Sequence, residues 1–447
     1  MPNILDNTFL GGAYSDPEIS SILSKQSCLM AIIEFEISVA KVQGELGLIP
    51  VKNAKSIQKR LKAIKVSDLS CQKFLKADGI IVPELVNYIR QEYLSIDDSK
   101  YLHWGLTSQD AIDSARCLQL KDYFSVLESR LNSFLNLGAE KAQDYKYVTI
   151  ASHTRGQVAG ITSLGAKLST NFFPILNQNI KLSKLKLDVL QVSLGGASGT
   201  SNTFKDLFPV LLKGVAKELN LSAPAISWHN NREGFVELGS ILTIICSSFG
   251  KFGADVLWMN QSEIQEIELS TVGKSSAMPH KQNPIIPEIL MSLADIANAL
   301  NGLLGSAMLH KNERDGVAWT KEIIALEQIM YCAGIACGLG QKLLQTMNPR
   351  RDNIDRNLER NRGLIFAGSA FTFLSSKYKD LDALSIVSEA IKNVNTNEST
   401  LLVELEKLTE QKVDFSKVFD PVENLGEAPE IVRIFCNKVK NTILFES

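Results

Sequence analysis

An excess of charge of either sign is missing: 47 Lys and Arg face 49 Asp and Glu, a formal net charge of −2 over 447 residues. That balance gives no basic footprint, so nucleic acid is not an expected partner. With 45% hydrophobic and 21% charged residues, the chain is also neither polar nor charged enough to remain disordered. Paired cysteines are missing too. The seven (28, 71, 117, 246, 332, 337, 436) are scattered, odd in number and without a CxxC pair. This fits free thiols in a reducing compartment better than a disulfide framework or a thiolate zinc site. The opening stretch lacks the basic start and apolar run of a secretory signal. The most apolar later stretch, 238–258, is interrupted by Ser, Gly and Lys251, so no membrane span is expected. A soluble, cytoplasmic protein is the expectation. Alternating strand patterns are scarce, prolines number only 13, and neither a repeat nor a low-complexity linker is present.

Helix signals dominate what is there. Residues 288–309 carry Ile289, Leu293, Ile296, Leu300, Leu303 and Ala307 at steps of three and four. Leu290, Met291, Ala294 and Ala297 make the other faces apolar as well, which predicts a helix buried in a bundle. Residues 111–136 align Cys117, Leu120, Phe124 and Leu127 on one stripe, with Thr107 as N-cap and Asp110 favouring the positive helix end. The length suggests two or three domains, or one large bundle with appendages. The expected division is a lead-in over 1–102, a long-helix body over 103–348 and a tail over 349–447. The tail opens with five of the thirteen arginines (350, 351, 356, 360, 362), read as a solvated, ion-paired surface ahead of an anion site.

Histidine is rare and informative. All five (103, 153, 229, 280, 310) stand beside unusual polar or glycine-rich stretches, which suggests that these segments converge. The segment 273–284, GKSSAMPHKQNP, is small and polar and leads into the apolar helix. Lys281 and Asn283 before a helix N-terminus would suit a carboxylate, combining a cation, amide donors and the helix dipole. Two adjacent serines would supply a hydroxyl for proton transfer. On chemistry alone, a polar interhelix loop and a carboxylate site are equally good readings.

Ser275 to Pro284 closely resembles the signature loop of the fumarase/aspartase superfamily, GSSxMPxKxNP, with Lys274 where the glycine before the serines is expected. The resemblance implies that Ser275 is the catalytic base and that Lys281 and Asn283 bind a substrate carboxylate. His103 to Asp110, HWGLTSQD, resembles the HxGxTSxD region of the branch holding adenylosuccinate lyases and carboxymuconate cycloisomerases. There Thr107, Ser108 and Gln109 would offer hydroxyls and an amide to a carboxylate; helix capping by Thr107 is compatible with that role. In the second family region the order is His153-Thr154-Arg155-Gly156-Gln157, and Arg155 stands where a general-acid histidine is expected. An amine or hydroxide leaving group needs such an acid. A carboxylate, with a pKa of roughly 4, leaves unaided. Cycloisomerases, in which an internal carboxylate adds and leaves, are similar in lacking this histidine; His153 remains available as a substitute acid. Leu194–Thr200 resembles the family's glycine-rich turn and alone would be a weak phosphate cradle. Trp228 to Arg232 resembles a W-H-x-x-R stretch of the cycloisomerases, with Arg232 a candidate for holding a second carboxylate bidentately. Residues 313–319 and 362–365 lean toward the same branch.

The resemblance implies an all-α protein: a central long-helix bundle with smaller N- and C-terminal helical domains, assembled as a homotetramer whose active sites are shared between subunits. It implies neither a metal nor an organic cofactor, and a small polycarboxylate as substrate. Its implied site adds His103, Thr154, Arg155, Gln157, Ser276 and Met278 to the substrate-binding residues already named. The implied reaction interconverts 3-carboxy-cis,cis-muconate and its carboxymuconolactone through an aci-carboxylate, as in aromatic catabolism. The alternatives are a fumarate-releasing lyase of the adenylosuccinate lyase kind and a catalytically silent scaffold of the same fold.

Overall fold

The structure is a computed structural model, and it describes residues 11–69, 74, 79–274 and 278–446. Five long helices dominate: α1 (Ser108–Asp144), α2 (Leu164–Val189), α3 (Glu233–Asn260), α4 (Ile285–Gly305) and α5 (Gly316–Thr346). The fold is all-α in character. Strand pairing among the described residues is limited to three two-stranded antiparallel sheets, β1 (Thr149–Thr154) with β2 (Gln157–Ser163), β3 (Ile267–Leu269) with β6 (Met347–Pro349), and β4 (Gly273–Lys274) with β5 (Gln282–Asn283), and one isolated parallel bridge between Gln191 and Ser222.

The predicted stripe on α1 is buried as its periodicity requires. Cys117, Leu120, Phe124 and Leu127 are enclosed, and Leu131 and Phe134 continue the same face. Each such side chain stabilises the fold by roughly 1.5–3 kcal/mol relative to leaving it exposed. The helix start is fastened from within: the Thr107 N–H donates to Asp110 Oδ2 at 3.0 Å, the backbone half of a capping box.

The chain divides into two compact units, each taking a segment of all five long helices. Unit 1 comprises Met1–Arg130, Gln178–Ser247 and Leu293–Cys337; unit 2 comprises Leu131–Asn177, Ser248–Ser292 and Gly338–Ser447. In unit 1, the helix Lys25–Glu45 packs Ile32, Phe35 and Val39 into a core that also holds Leu102, Ala111, Phe204 and Leu211. In unit 2, Phe134 meets Phe172 and Phe249, each at 4.8 Å between ring centroids, and Phe172 meets Phe252 at 5.0 Å. Such edge-to-face pairs each add about 0.5–1.5 kcal/mol beyond area burial. A second cluster in unit 2 gathers Ala370, Leu374, Val387 and Leu401 from the shorter helices after residue 366, with Phe415 from the connection that follows them.

Two expectations are corrected. The apolar helix predicted over 288–309 begins at Ile285, and only one face of it is covered. Leu290, Leu293, Ala297 and Leu304 are buried, whereas Met291, Leu303, Met308 and Leu309 are exposed. The exclusion of membrane spans was also too strict. By length and composition alone, Glu233–Asn260, Ile285–Met308 and Gly316–Thr346 are apolar enough to cross a membrane. Protein covers 67% and 72% of the apolar windows in the first and third, but only 33% in the second. Among the described residues, Cys117, Cys246, Cys332, Cys337 and Cys436 are free thiols, in keeping with the cysteine reading; Cys71 lies outside the described residues.

Candidate active site

Unit 1 draws together four stretches that are remote in sequence. Asp110 is fully buried, and its carboxylate accepts from four donors: the N–H of Gly195 (2.6 Å), Gly196 (3.0 Å) and Thr107 (3.0 Å), and His229 Nε2 (2.8 Å). The glycine-rich turn is therefore no vacant phosphate cradle, since the chain's own carboxylate takes two of its amides. Gly195 must be glycine here, because a Cβ would lie 2.7 Å from the His229 ring and 2.8 Å from Ser227 Oγ. Gln109 is buried and donates to the His229 carbonyl at 2.9 Å and to Asp113 Oδ2 at 3.1 Å, while its Oε1 has no partner. Arg314 ties the cluster from outside, donating to Thr107 Oγ1 at 3.0 Å and to the Ala197 carbonyl at 2.9 Å. Ser108 opens α1 and is half-buried.

His103 takes a left-handed backbone (φ 60°) and its Nδ1 lies 2.5 Å from Glu36 Oε1. Burial pushes the imidazole pKa down, but the Glu36 carboxylate outweighs burial and raises it above the ordinary histidine value.

Arg232 was offered above to a substrate carboxylate, and its surroundings give it different work. Its side chain is 0% exposed and already held by two carboxylates of its own unit. Nη1 and Nη2 donate to Asp113 at 2.8 and 3.1 Å; Nε and Nη2 donate to Glu322, both at 2.6 Å. Trp228 and Phe235 hold their rings 4.8 and 4.7 Å from the guanidinium carbon. Burial raises the Asp113 pKa, yet Arg232 more than reverses this and leaves it below the usual carboxylate range. Arg232 is thus the centre of a buried ion triad.

Unit 2 carries the other two predicted regions. Residues 149–163 form a β-hairpin whose two-residue tip is Arg155-Gly156, both with positive φ (53° and 79°), as a type I′ turn requires. Thr154, Arg155 and Gln157 are exposed at this tip. His153 is half-buried on β1 beside a register shift, its ring 5.9 Å from Trp258 in an edge-on contact. Glu266 carries a carboxyl whose pKa is raised by burial, against the opposing pull of Asn357, His153 and Lys167.

Pairing of β4 with β5, Gly273 opposite Asn283, brings the two ends of the 273–284 segment together ahead of α4. The Lys281 N–H donates to the Met278 carbonyl at 3.0 Å. Lys281, His280 and the half-buried Asn283 line an open cleft of about 730 Å³ together with Glu268, Glu288 and Arg350. The side chain of Met278 is exposed. Ser275 and Ser276 lie outside the described residues. Arg350, read above as surface charge, reaches the cleft because the β3–β6 pairing ends beside it and its N–H donates to the Glu266 carbonyl at 2.8 Å.

The five histidines therefore gather by unit: His103, His229 and His310 in unit 1, His153 and His280 in unit 2. Glu36, Asp113, Glu322 and Glu266 went unnoticed in the sequence. For Asp113, the only local signal was its place one turn after Gln109 and one turn before Arg116, a polar run on a largely apolar helix.

Comparison with known proteins agrees with the all-α fold. A family model described as lyase matches residues 13–296. The 3-carboxy-cis,cis-muconate cycloisomerase of Acinetobacter baylyi is 27% identical, over 95% of this chain and 96% of its own length. An N-acetyl-S-(2-succino)cysteine lyase of Dickeya dadantii is 26% identical, over 96% of each. In fold, the crystal structure of 3-carboxy-cis,cis-muconate lactonizing enzyme from Pseudomonas putida matches with a TM-score of 0.91 and 24% identity, covering 97% of this chain and 99% of that one. With a signature-type loop ahead of α4 and the family model covering well over half of its residues, the chain belongs to the lyase family of the fumarase/aspartase superfamily.

Proposed function

We propose that this enzyme is a cycloisomerase interconverting 3-carboxy-cis,cis-muconate and its carboxymuconolactone. The observation that carries the reading is the hairpin tip, which presents Arg155 and Gly156 rather than an imidazole. A general acid is dispensable when the leaving group is a carboxylate and indispensable when it is an amine. The end-to-end likeness to the Acinetobacter cycloisomerase supports the same choice.

In the lactonising direction, one substrate carboxylate oxygen forms a bond to a diene carbon. The displaced electron pair moves onto the adjacent carboxyl, giving an aci-carboxylate. Lys281, Asn283 and the positive end of α4 stabilise that charge where it develops. The Ser275 hydroxyl gives its proton to the α-carbon; in reverse, the seryl oxygen removes it. Thr107, Ser108 and His103, with Thr154, Arg155, Gln157, Ser276 and Met278, bind the remaining carboxylates and the carbon skeleton, while Gln109, its two N–H donors engaged by His229 and Asp113, holds this wall in place.

These regions are distributed over units 1 and 2, and we infer that a homotetramer assembles complete sites from different copies. The uncovered apolar face of α4, with Met291 and Leu303 exposed, supports association through that helix. The reading entails a soluble, cytoplasmic enzyme. A second reading, a lyase that releases fumarate, is favoured by the comparable likeness to the Dickeya enzyme and would use His153 as acid, poised beside buried Glu266.

Kinetics of Ser275→Ala on 3-carboxy-cis,cis-muconate test the mechanism, with oligomeric state measured by light scattering. The expected result is loss of turnover in an intact tetramer. Near-normal lactone formation by the variant overturns the role of the serine.

A further inference from the structure

Unit 1 contains a second cavity, of about 220 Å³, that none of the proposed site residues lines. Its walls are mainly apolar, with Ile81, Ile112, Leu120, Ile323 and Trp319, and they include one mostly buried guanidinium, Arg116. Among the described wall residues the other charges, Lys25 and Glu327, are opposite in sign, so Arg116 sets the balance. Arg116 Nη1 is shut off from solvent and has no hydrogen-bond partner. The nearest paired carboxylate oxygen, Glu322 Oε1, is 3.7 Å away and already accepts from Arg232 Nη2 at 2.6 Å. A mostly buried guanidinium on an apolar cavity wall, with no carboxylate within hydrogen-bond distance of its enclosed nitrogen, is a recognition element for an anionic oxygen.

We propose that this cavity is a second ligand site, taking a small apolar monocarboxylate whose oxygens accept from Arg116. Size and charge both select that class. An apolar cavity of about 150 Å³ accommodates benzene, so the larger volume here takes a six-membered ring bearing one carboxylate. A neutral ligand of the same shape leaves Arg116 unsatisfied, and a polycarboxylate would bury charges that the apolar walls cannot solvate.

The site adjoins the buried ion triad. From Arg116 the chain of contacts runs through Glu322 and Arg232 to Asp113 and then Gln109, and wall residue Trp319 directs its Nε1 at Asp113 from 3.4 Å. A ligand that draws Arg116 from Glu322 therefore perturbs Gln109. That coupling rests on the functional reading of Gln109; the binding does not.

The test titrates the full-length protein with benzoate, and separately with benzamide, by calorimetry and by tryptophan emission. Benzoate is expected to bind saturably, benzamide about tenfold more weakly or worse, and Arg116→Gln to reduce benzoate to the level of benzamide. Equal binding of the two probes, absence of benzoate binding, or unchanged binding by Arg116→Gln overturns the site. If that variant does not fold, the two-probe comparison on the unmodified chain decides alone. In the kinetic arm, benzoate is expected to alter KM for 3-carboxy-cis,cis-muconate with the same saturation constant as binding. Binding without a kinetic effect retains the site and overturns its coupling. Competitive inhibition that survives Arg116→Gln places the probe in the active site and overturns the proposal. A chain inert toward the muconate loses the functional reading while the binding result stands.

Discussion

Replacing Arg232 by methionine discriminates most sharply between a buried structural cation and a substrate-binding one. Methionine keeps an unbranched apolar stem between Trp228 and Phe235 but removes every donor to Asp113 and Glu322. Both carboxylates are 0–1% exposed, so water cannot take over. Removing one partner of a buried ion pair typically destabilises by about 3–5 kcal/mol, because the other charge is left uncompensated. Loss of the ring contacts adds roughly 0.5–2 kcal/mol. Arg116, 3.7 Å from Glu322, offsets part of this, so a net loss near 4 kcal/mol is the working figure.

The pH dependence follows from the same geometry. In the unmodified protein Asp113 has a depressed pKa, so its stabilising contribution is present above the ordinary carboxylate value and is lost as pH falls through the lower folded value. Without Arg232, burial is opposed only by the weaker pull of Gln109 and Arg116, so Asp113 is expected to move upward and protonation to relieve the variant at mild acidity. The deficit of Arg232→Met is therefore larger at pH 8 than at pH 5. The assay is urea denaturation followed by circular dichroism at matched protein concentration, at both pH values. Combining Arg232→Met with Asp113→Asn and Glu322→Gln is expected to recover much of the loss, since the triad then holds no charge and only the mostly buried Arg116 is left without its carboxylate. A variant that unfolds within about 1 kcal/mol of the unmodified chain, with only a raised KM, would refute the reasoning and return Arg232 to the substrate.

Other predictions address single features. Arg155→Asn places the preferred Asn-Gly pair in the type I′ turn and is expected to stabilise the hairpin by about 0.5–1 kcal/mol while raising KM; a lower thermal midpoint refutes the turn argument. Gly195→Ala drives a Cβ into His229 and Ser227 and is expected to cost about 1–3 kcal/mol by thermal or urea unfolding. The raised pKa of His103 means that its pairing with Glu36 stabilises fully below the ordinary histidine pKa and fades as pH rises through the folded value. The stability gap between the unmodified chain and His103→Gln should accordingly be widest in acid and close in alkali; a gap that widens with pH contradicts the pairing.

The legible features were those carried by local pattern. The stripe on α1 marks its buried face because successive apolar residues recur at helical spacing, and the 273–284 segment declares itself by its composition before a helix start. The hairpin at 149–163 was not legible, since its tip is Arg-Gly, with an arginine in the left-handed conformation usually left to asparagine or glycine. The ion triad escaped because Asp113, Arg232 and Glu322 lie about a hundred residues apart, and charge at a distance leaves no periodicity. The apolarity of α4 was read correctly, but a hydrophobic pattern states what must be covered and not what covers it. Arg350 is the exposed, ion-paired arginine the sequence suggests, 3.8 Å from Glu268; that it also lines the cleft of Lys281 and Asn283 follows from the pairing of β3 with β6 and was not legible.

The central claim, cycloisomerisation without a general-acid histidine, is tested most directly by product analysis. Purified protein is incubated in parallel with 3-carboxy-cis,cis-muconate and with adenylosuccinate, and lactone and fumarate are separated by chromatography. Lactone from the first and no fumarate from the second is the predicted result. Fumarate release from adenylosuccinate without lactone formation would contradict it and assign the acid's role to His153.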